Sequence, residues 1–393
     1  MKKKEVTSTL WNKSFIYLIL ISLFSAMSFN MVYVMISNYA IRINDSLAIA
    51  GMISGIFSIS ALLVRPIAGR SVDIFNKRNL CILANLLMAL AVFGYAFTDQ
   101  IPMLFFLRIL HGFAFGLSST ANIALVSEFI PKERMGEGIG LYGIGQVIAQ
   151  VIGPNMGVYI SDELGFQPLF LLIAALSLIA GLLLLFFPYS KKAGIKGSSN
   201  STRTKLRVDS LIAKEVIVYA IVGGMFSFGN GVISSFLILL AKERQITNAS
   251  LFFSVGAIVL FAIRLFIGRI IDRQGLTLIV NISLVITAIS MVMIGTASVL
   301  SWLLLASALK SLGQGTGQIS LQTECIKRVD PGRIGVATST FYIGADIGQG
   351  LGPILGGELS ERFSYRVMYL TCAALMIITM IFFHIYQRNR KSC

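Results

Sequence analysis

Arg65-Pro-Ile-Ala-Gly-Arg-Ser-Val-Asp73 runs on into Asn76-Lys77-Arg78, and the chain returns to it as Arg264-Leu-Phe-Ile-Gly-Arg-Ile-Ile-Asp272, then Arg273. Both copies fit R-x-x-x-G-R-x-x-D, at an offset of 264 − 65 = 199 residues. Each stands where a long apolar run gives way to a short basic loop. The same offset carries Ser28-Phe29 onto Ser227-Phe228, Gly116 onto Gly315, Arg134 onto Arg333 and Ile144-Gly145 onto Ile343-Gly344. It also carries Gln150 onto Gln349, Gly153-Pro154 onto Gly352-Pro353 and Gly157 onto Gly356. No gap is needed between residues 28 and 161, and most matches are Gly, Pro or charged residues, which apolar composition alone would not align. The chain is a duplicated membrane protein.

Of its 393 residues, 55% are hydrophobic and only 13% charged. A soluble domain carries about a quarter charged residues, so the solvent here is lipid. A membrane-spanning helix needs about 20 mostly apolar residues. Twelve runs qualify: 15–40, 48–69, 79–97, 101–127, 136–160, 166–189, 213–240, 250–271, 276–296, 299–323, 333–358 and 363–386. Six precede a Lys-, Ser- and Gly-rich stretch and six follow it. The expected fold is therefore all-α: twelve transmembrane helices in two pseudo-symmetric six-helix bundles, 1–189 and 213–393, joined by a linker at 190–212. A β-barrel would need short alternating strands, which are absent from the pattern.

The net charge of +15 invites a nucleic-acid reading, but its distribution rejects one. Alternate loops, starting from the N-terminus, hold 24 of the 33 Lys and Arg, seven of them between Lys191 and Lys214. The opposite loops hold only Arg42, Lys242, Arg244, Arg362 and Arg366. Basic loops stay cytoplasmic, so both termini and the linker are expected inside a bacterial cell membrane, facing anionic lipid. Phe15 to Ala40 is too long for a signal peptide and reads as the first helix. The four cysteines lack metal spacing and read as unpaired. No metal site is expected.

Polar side chains within the apolar runs are the candidates for function, because hydrocarbon offers them no partners. The first run carries Asn30 and Tyr33, the fifth Gln146 and Gln150, the seventh Asn230. They face either a central cavity or a neighbouring helix. Lys310, Gln314, Gln318 and Gln322 recur every fourth residue, a polar stripe down one helix face, which we assign to the cavity. Lys310 is the repeat image of His111. Arg108 and His111, three apart, share a face; Arg108 needs a partner or a snorkelling route to the outer headgroups. Asp346 falls near the midplane, where charge is costly. It either forms a structural pair with Lys310 or exchanges a proton as substrate binds. The glycines of Gly348-x-x-x-Gly352-Pro353-x-x-Gly356-Gly357 make a smooth packing face that the proline bends, and Gly153, Pro154 and Gly157 form a partial copy.

These motifs resemble those of the major facilitator superfamily, and within it the drug:proton antiporters. That family's first signature, Gly-x-x-x-Asp-(Arg)-x-Gly-(Arg/Lys)-(Arg/Lys), is similar to Gly69, Arg70, Asp73, Lys77 and Arg78, with Ile74 and Asn76 departing from it, and to Gly268, Arg269, Asp272, Arg273 and Gly275. The resemblance implies a latch joining the cytoplasmic ends of the halves, with Asp73 and Asp272 at its centre. Arg108-x-x-His111-Gly112 resembles the second signature, Arg-x-x-Gln-Gly, which the family associates with proton coupling; His stands in place of Gln. The Gly-Pro motif resembles the antiporter signature.

The resemblance implies a secondary transporter working by alternating access, most simply a proton-coupled exporter of a small organic compound: a drug, or a secreted metabolite such as a metallophore. Asp346 would accept the proton, Lys310, Arg108 and His111 would charge the cavity, and Gln314 and Gln318 would hydrogen-bond the substrate. The alternative is proton-coupled uptake of a sugar or carboxylate, which three cationic groups would suit. No Gly-x-x-x-x-Gly-Lys-Ser/Thr motif supplies ATP, so the proton gradient is the expected energy source and no cofactor is needed. Two histidines and no nucleophile constellation argue against an enzyme. The expected partners are a small-molecule substrate and the lipid bilayer, not nucleic acid, and the expected working unit is a monomer.

Overall fold

The computed structural model describes residues 12–130, 138, 141–189, 212–330 and 333–391, without the side chains of residues 73, 264–274, 334 and 335. The linker expected at 190–212 therefore lies almost wholly outside the described residues. Twelve long helices follow in order: α1 (Lys13–Asn44), α2 (Leu47–Ile74), α3 (Lys77–Tyr95), α4 (Ile101–Val126), α5 (Ile144–Glu163) and α6 (Phe166–Phe186). The second set is α7 (Ile217–Glu243), α8 (Leu251–Gln274), α9 (Leu276–Thr296), α10 (Leu300–Lys327), α11 (Ile334–Arg362) and α12 (Tyr365–Lys391). No strand occurs among the described residues.

Local chemistry sets several of the helix starts. The side chains of Asn12, Ser46 and Asn76 accept hydrogen bonds from the backbone N–H groups of Phe15, Ile49 and Asn79, satisfying donors that a helix N-terminus leaves free. The cap at Asn76 accounts for one departure from the family signature. Its repeat image Gly275 makes the same turn with φ +78°, a conformation open to glycine, whereas Asn76 keeps φ −70° and caps α3 with its side chain.

Helix packing repeats along with the sequence. In the first half α1 packs on α5, α3 on α4 and α6, and α2 on α4; in the second, α7 packs on α11, α9 on α10 and α12, and α8 on α10. Among the contacts that join the halves, α2 with α11 and α5 with α8 are exchanged by the 199-residue shift, and α1 also packs on α7. Among the described residues eight helices are apolar enough to cross a membrane by length and composition, and the described part of α8 is a shorter apolar segment. The remaining three are α5, α10 and α11: α5 and α11 take part in contacts between the halves, and α10 carries the glutamine stripe. The outward surface is apolar, with Leu63, Phe97 and Ile378 each at least 60% exposed, as a lipid-facing surface requires.

Glycine decides how closely α11 approaches its neighbours. A Cβ on Gly348 would sit 1.9 Å from the carbonyl oxygen of Gly224 in α7, and one on Gly352 would sit 2.3 Å from that of Phe228. Towards the other half, a Cβ on Gly357 would meet the Leu47 oxygen at 2.4 Å, and one on Gly51 of α2 would meet the Pro353 oxygen at 2.1 Å. In the incomplete first copy the neighbours of α5 stand back: Gly153 and Gly157 keep 3.1 Å from the nearest α1 side chains.

The halves meet firmly at the end of the bundle away from the linker, called here the far end. Glu361, at the end of α11, accepts hydrogen bonds from the Ser46 hydroxyl and the Ala48 N–H at the start of α2, both at 2.6 Å. Lys242 on α7 pairs with Asp162 on α5 at 2.8 Å. Asn155 on α5 donates to Ser254 on α8 at 2.7 Å. Towards the linker end, nothing among the described residues lies within 4 Å of a Cβ built on Gly69, so no described side chain or helix exploits its lack of a side chain. Gly348→Val is therefore expected to lower the apparent unfolding temperature of the detergent-purified protein, at a cost of about 1–3 kcal/mol or more from overpacking. Gly69→Ala should leave it unchanged or raised, since alanine favours a helix by roughly 1 kcal/mol.

Candidate functional site

A cavity of about 150 Å³ lies between the halves. Helices α1 and α5 contribute Asn30, Tyr33 and Gln150, α7 contributes Asn230, and α10 contributes Lys310, Gln314 and Gln318. Phe252, Phe253 and Leu260 of α8 give it an apolar wall. The spacing of the α10 stripe accounts for its place here: residues 310, 314 and 318 stack on one side of the helix. Of the glutamines expected to line a cavity, Gln146 and Gln322 do not. Gln146 sits one turn from Gln150 towards the linker end and is exposed, and Gln322 donates to the Tyr342 hydroxyl instead.

A chain of amide groups orders the cavity. Lys310 Nζ donates to Asn230 Oδ1 at 2.7 Å, which fixes the Asn230 amide with its nitrogen turned the other way. That nitrogen donates to Gln349 Oε1 at 3.2 Å and to the Tyr33 hydroxyl at 3.4 Å, the second of these crossing between the halves. Gln349 Nε2 is left buried with no acceptor among the described residues. Gln314 donates to Gln318 at 3.4 Å, and Gln318 to the Ser227 hydroxyl at 3.0 Å. Pro154 and Pro353 lack the N–H that would bond to the carbonyls four residues earlier, those of Gln150 and Gln349, so each proline loosens its helix beside the site.

Asp346 does not pair with Lys310. Its carboxylate takes a two-pronged contact from the Arg65 guanidinium, Nε to one oxygen and NH2 to the other, the latter at 3.1 Å. The pair spans the halves, from α2 to α11. Both side chains are largely withdrawn from the surface, 28% and 16% exposed. Tyr342 lies beside Arg65, with its ring 5.9 Å from the guanidinium carbon, and its hydroxyl accepts from Gln322 at 3.1 Å. Arg65 belongs to the repeated motif that opens the sequence, yet nothing in its spacing marked it as the partner of Asp346. The signal that was available is its position: a cation about one turn inside the end of an apolar run. Gln349 was noted only as the repeat image of Gln150 and not as a site residue.

Arg108 and His111, expected as cavity charges, are not among the residues that line this cavity. Both are buried, at 2% and 0% exposure. Arg108 donates to the carbonyls of Ile53 at 3.0 Å and Ser54 at 3.3 Å on α2, and its guanidinium lies 4.5 Å from the Phe57 ring centre. This contact too has a repeat image. Ser307 replaces Arg108 and donates at 2.5 Å to the carbonyl of Phe252, the image of Ile53. The position thus ties α4 to α2 in one half and α10 to α8 in the other. His111 packs edge-on to Phe57, with Nδ1 3.1 Å from the Tyr95 hydroxyl. Its image Lys310 turns into the cavity, so one slot of the repeat serves two purposes.

Among the described residues the contacts of the basic loop stay within the first half. Lys77 pairs with Glu128, which also accepts from the Tyr189 hydroxyl at 2.9 Å. Arg78 donates to the carbonyls of Leu184, at 2.7 Å, and Leu185, satisfying the free carbonyl end of α6. All these partners belong to the first half. Arg70 is exposed. The side chains of Asp73, Gly268, Arg269, Asp272 and Arg273 lie outside the described residues. Among the described residues no three His, Cys, Asp or Glu side chains cluster as metal ligands.

Comparison with known proteins agrees with this architecture. The family model described as Major Facilitator Superfamily matches residues 18–341 and 219–392. A protein of Lactococcus lactis named multi-drug resistance efflux pump PmrA homolog is 27% identical over 354 residues, covering 85% of this chain and 86% of its own. The staphylopine export protein of Staphylococcus aureus is 23% identical over 392 residues, covering 93% and 94%. The crystal structure of the nucleoside transporter NupG superposes with a TM-score of 0.78 at 17% identity, covering 95% of this chain and 98% of that one, a likeness of fold.

The ion pair can be tested directly. Arg65→Gln and Asp346→Asn should each destabilise the purified protein by about 1–3 kcal/mol, less than for a fully buried pair because both groups keep some exposure. The double variant should cost less than the sum of the two. A double-mutant cycle of apparent unfolding temperatures measures this coupling.

Proposed function

This chain belongs to the major facilitator superfamily of membrane transporters, and we propose that it exports a small organic compound by exchanging it for protons. The observation that carries the proposal is the position of Asp346. It is a carboxylate deep in a helix that packs against both halves, held by a cation of the opposite half, and three residues before Gln349 of the amide chain. Protonation removes the charge that holds Arg65. The cost of leaving either partner alone in a low-dielectric bundle then ties proton binding to the packing of α2 against α11. Exchange follows if substrate and proton favour opposite arrangements of the halves.

The loops rich in Lys and Arg assign the linker end to the cytoplasm of a bacterial cell, with both termini inside. With the far end held by Glu361 and Lys242, the cavity then loads from the cytoplasm, as an exporter requires. Alternating access is a rocking of one half against the other about the α2–α11 and α5–α8 contacts. The efflux and export names of the two relatives favour this direction over uptake, and the proton gradient is the energy source in this scheme. The chain acts as a single copy, since both halves of the cavity come from one polypeptide.

The test is flux into proteoliposomes with an acid lumen, reading internal pH while ethidium, glycyl-phenylalanine and hippurate are offered in turn. Exchange predicts proton loss from the lumen when a transported compound enters, and loss of that coupling in Asp346→Asn that still elutes as a monodisperse protein. Protons entering together with a compound would make the chain an uptake symporter. Coupled exchange that survives in Asp346→Asn would leave Asp346 a purely structural charge.

A further inference from the structure

The cation in the cavity has no carboxylate of its own. Lys310 Nζ lies half-buried against Asn230 Oδ1, and among the described residues no Asp or Glu comes within ion-pair distance of it. Asp346, the acidic group that the sequence offered as its partner, is taken by Arg65. An ammonium carries three donors, and among the described residues the neutral amide of Asn230 is the one side-chain acceptor it engages. A lysine kept at this depth for structural reasons would be expected to meet a carboxylate or several carbonyls, as Arg108 does with Ile53 and Ser54.

The amide chain that starts at Lys310 is polarised in the same sense. Lys310 fixes the Asn230 oxygen, Asn230 in turn fixes the Gln349 oxygen, and the chain ends on a buried N–H2 group with no acceptor. Donors exceed acceptors at both ends. Such a site is completed by an anion.

We propose that the transported compound carries a carboxylate, which docks on Lys310 beside Asn230. Its neutral portion is hydrogen-bonded by Gln314 and Gln318, and its apolar portion lies against Phe252 and Phe253. The substrate class is thus a small organic acid or zwitterion rather than a lipophilic cation. The chemistry is a charge-assisted hydrogen bond in a largely enclosed site, stronger than a neutral one and unavailable to an ester or amide of the same shape. Lys310 is a specificity-determining residue of the cavity, and the proton remains the business of Asp346.

The inference rests on the transport reading above, but binding measured without any gradient tests it separately. Hippurate, N-acetyltryptophan and N-acetylhistidine, each as the free acid and as the primary amide, are titrated into the detergent-purified protein together with ethidium, and binding is read as thermal stabilisation and by isothermal calorimetry. The acids are expected to bind about tenfold or more tightly than their amides, and to lose about that factor in Lys310→Gln. Lys310→Arg should retain the preference for acids, and Lys310→Glu should reverse it in favour of ethidium. Should Lys310→Gln fail to fold, the Arg and Glu variants carry the comparison.

Amides binding as well as acids to the wild type would overturn the proposal. So would acids binding Lys310→Gln undiminished, ethidium as the best ligand of the wild type, or no acid binding up to its solubility limit. Acids that bind through Lys310 yet drive no proton exchange in vesicles would leave the substrate class standing and defeat the export reading. Proton-coupled movement of ethidium alone, unaffected in Lys310→Gln, would do the reverse.

Discussion

A charge placed in the middle of a membrane helix has nowhere to go. Water is distant, the helix backbone has used its own hydrogen bonds, and lipid offers nothing. Arg65 and Asp346 meet this constraint by finding one another across the two halves of the molecule, with two nitrogens of the guanidinium on two oxygens of the carboxylate. Each charge is tolerable only while the other is near. The relative position of α2 and α11 is therefore bound up with the protonation of one side chain. Glycine makes the arrangement possible, because without Gly51 and Gly357 the two helices could not close at the far end and bring residues 65 and 346 within reach. The cavity is assembled around the same closure.

The repeat clarifies how the remaining cations divide their tasks. Two slots of the duplicated unit are filled differently in the two halves. Where the first half has Arg108, buried on the carbonyls of α2, the second has Ser307 on the matching carbonyl of α8. Where the first half has His111, enclosed by Phe57 and Tyr95, the second has Lys310, open to the cavity. A large cation and an aromatic box fill these slots in the first half, with His111 Nε2 left buried without a partner among the described residues. A small hydroxyl and a lysine leave the second half unsatisfied, and that lack of a partner is what a substrate can supply. Duplication gave two equivalent frames, and function resides in the differences between them.

Much of this architecture was legible in the sequence because the signals were long-ranged and redundant. The 199-residue offset, the twelve apolar runs and the glycine spacing of α11 all point to the same packing, and the helices follow them closely. The four-residue spacing of Lys310, Gln314 and Gln318 placed them on one face, and that face lines the cavity. What was not legible was the choice of partner. Periodicity gives the face of a helix that a side chain occupies, but not which of several neighbours it touches. Arg108 and His111 share a face and were expected in the cavity, but the glycines beside them, Gly112 and Gly116, draw α4 against α2 and bury that face. Asp346 and Lys310 looked like partners by depth alone, whereas the α2–α11 contact supplies Arg65 first. The basic loop illustrates the same limit, since Lys77 and Arg78 are held by groups of their own half in the conformation seen here.

The central claim is that the charge on Asp346 governs how the halves sit against each other, and the most direct test is a distance. Asp99 and Ser298 are exposed, lie at the far end in opposite halves, and are images of one another in the repeat. Spin labels on cysteines at these two positions, in an otherwise cysteine-free protein, would report the far-end separation by double electron–electron resonance. The expected result is a predominantly short separation in the wild type at neutral pH, with a longer population growing both on acidification and in Asp346→Asn. A distance distribution identical in wild type and Asp346→Asn, at neutral and acid pH alike, would contradict the claim.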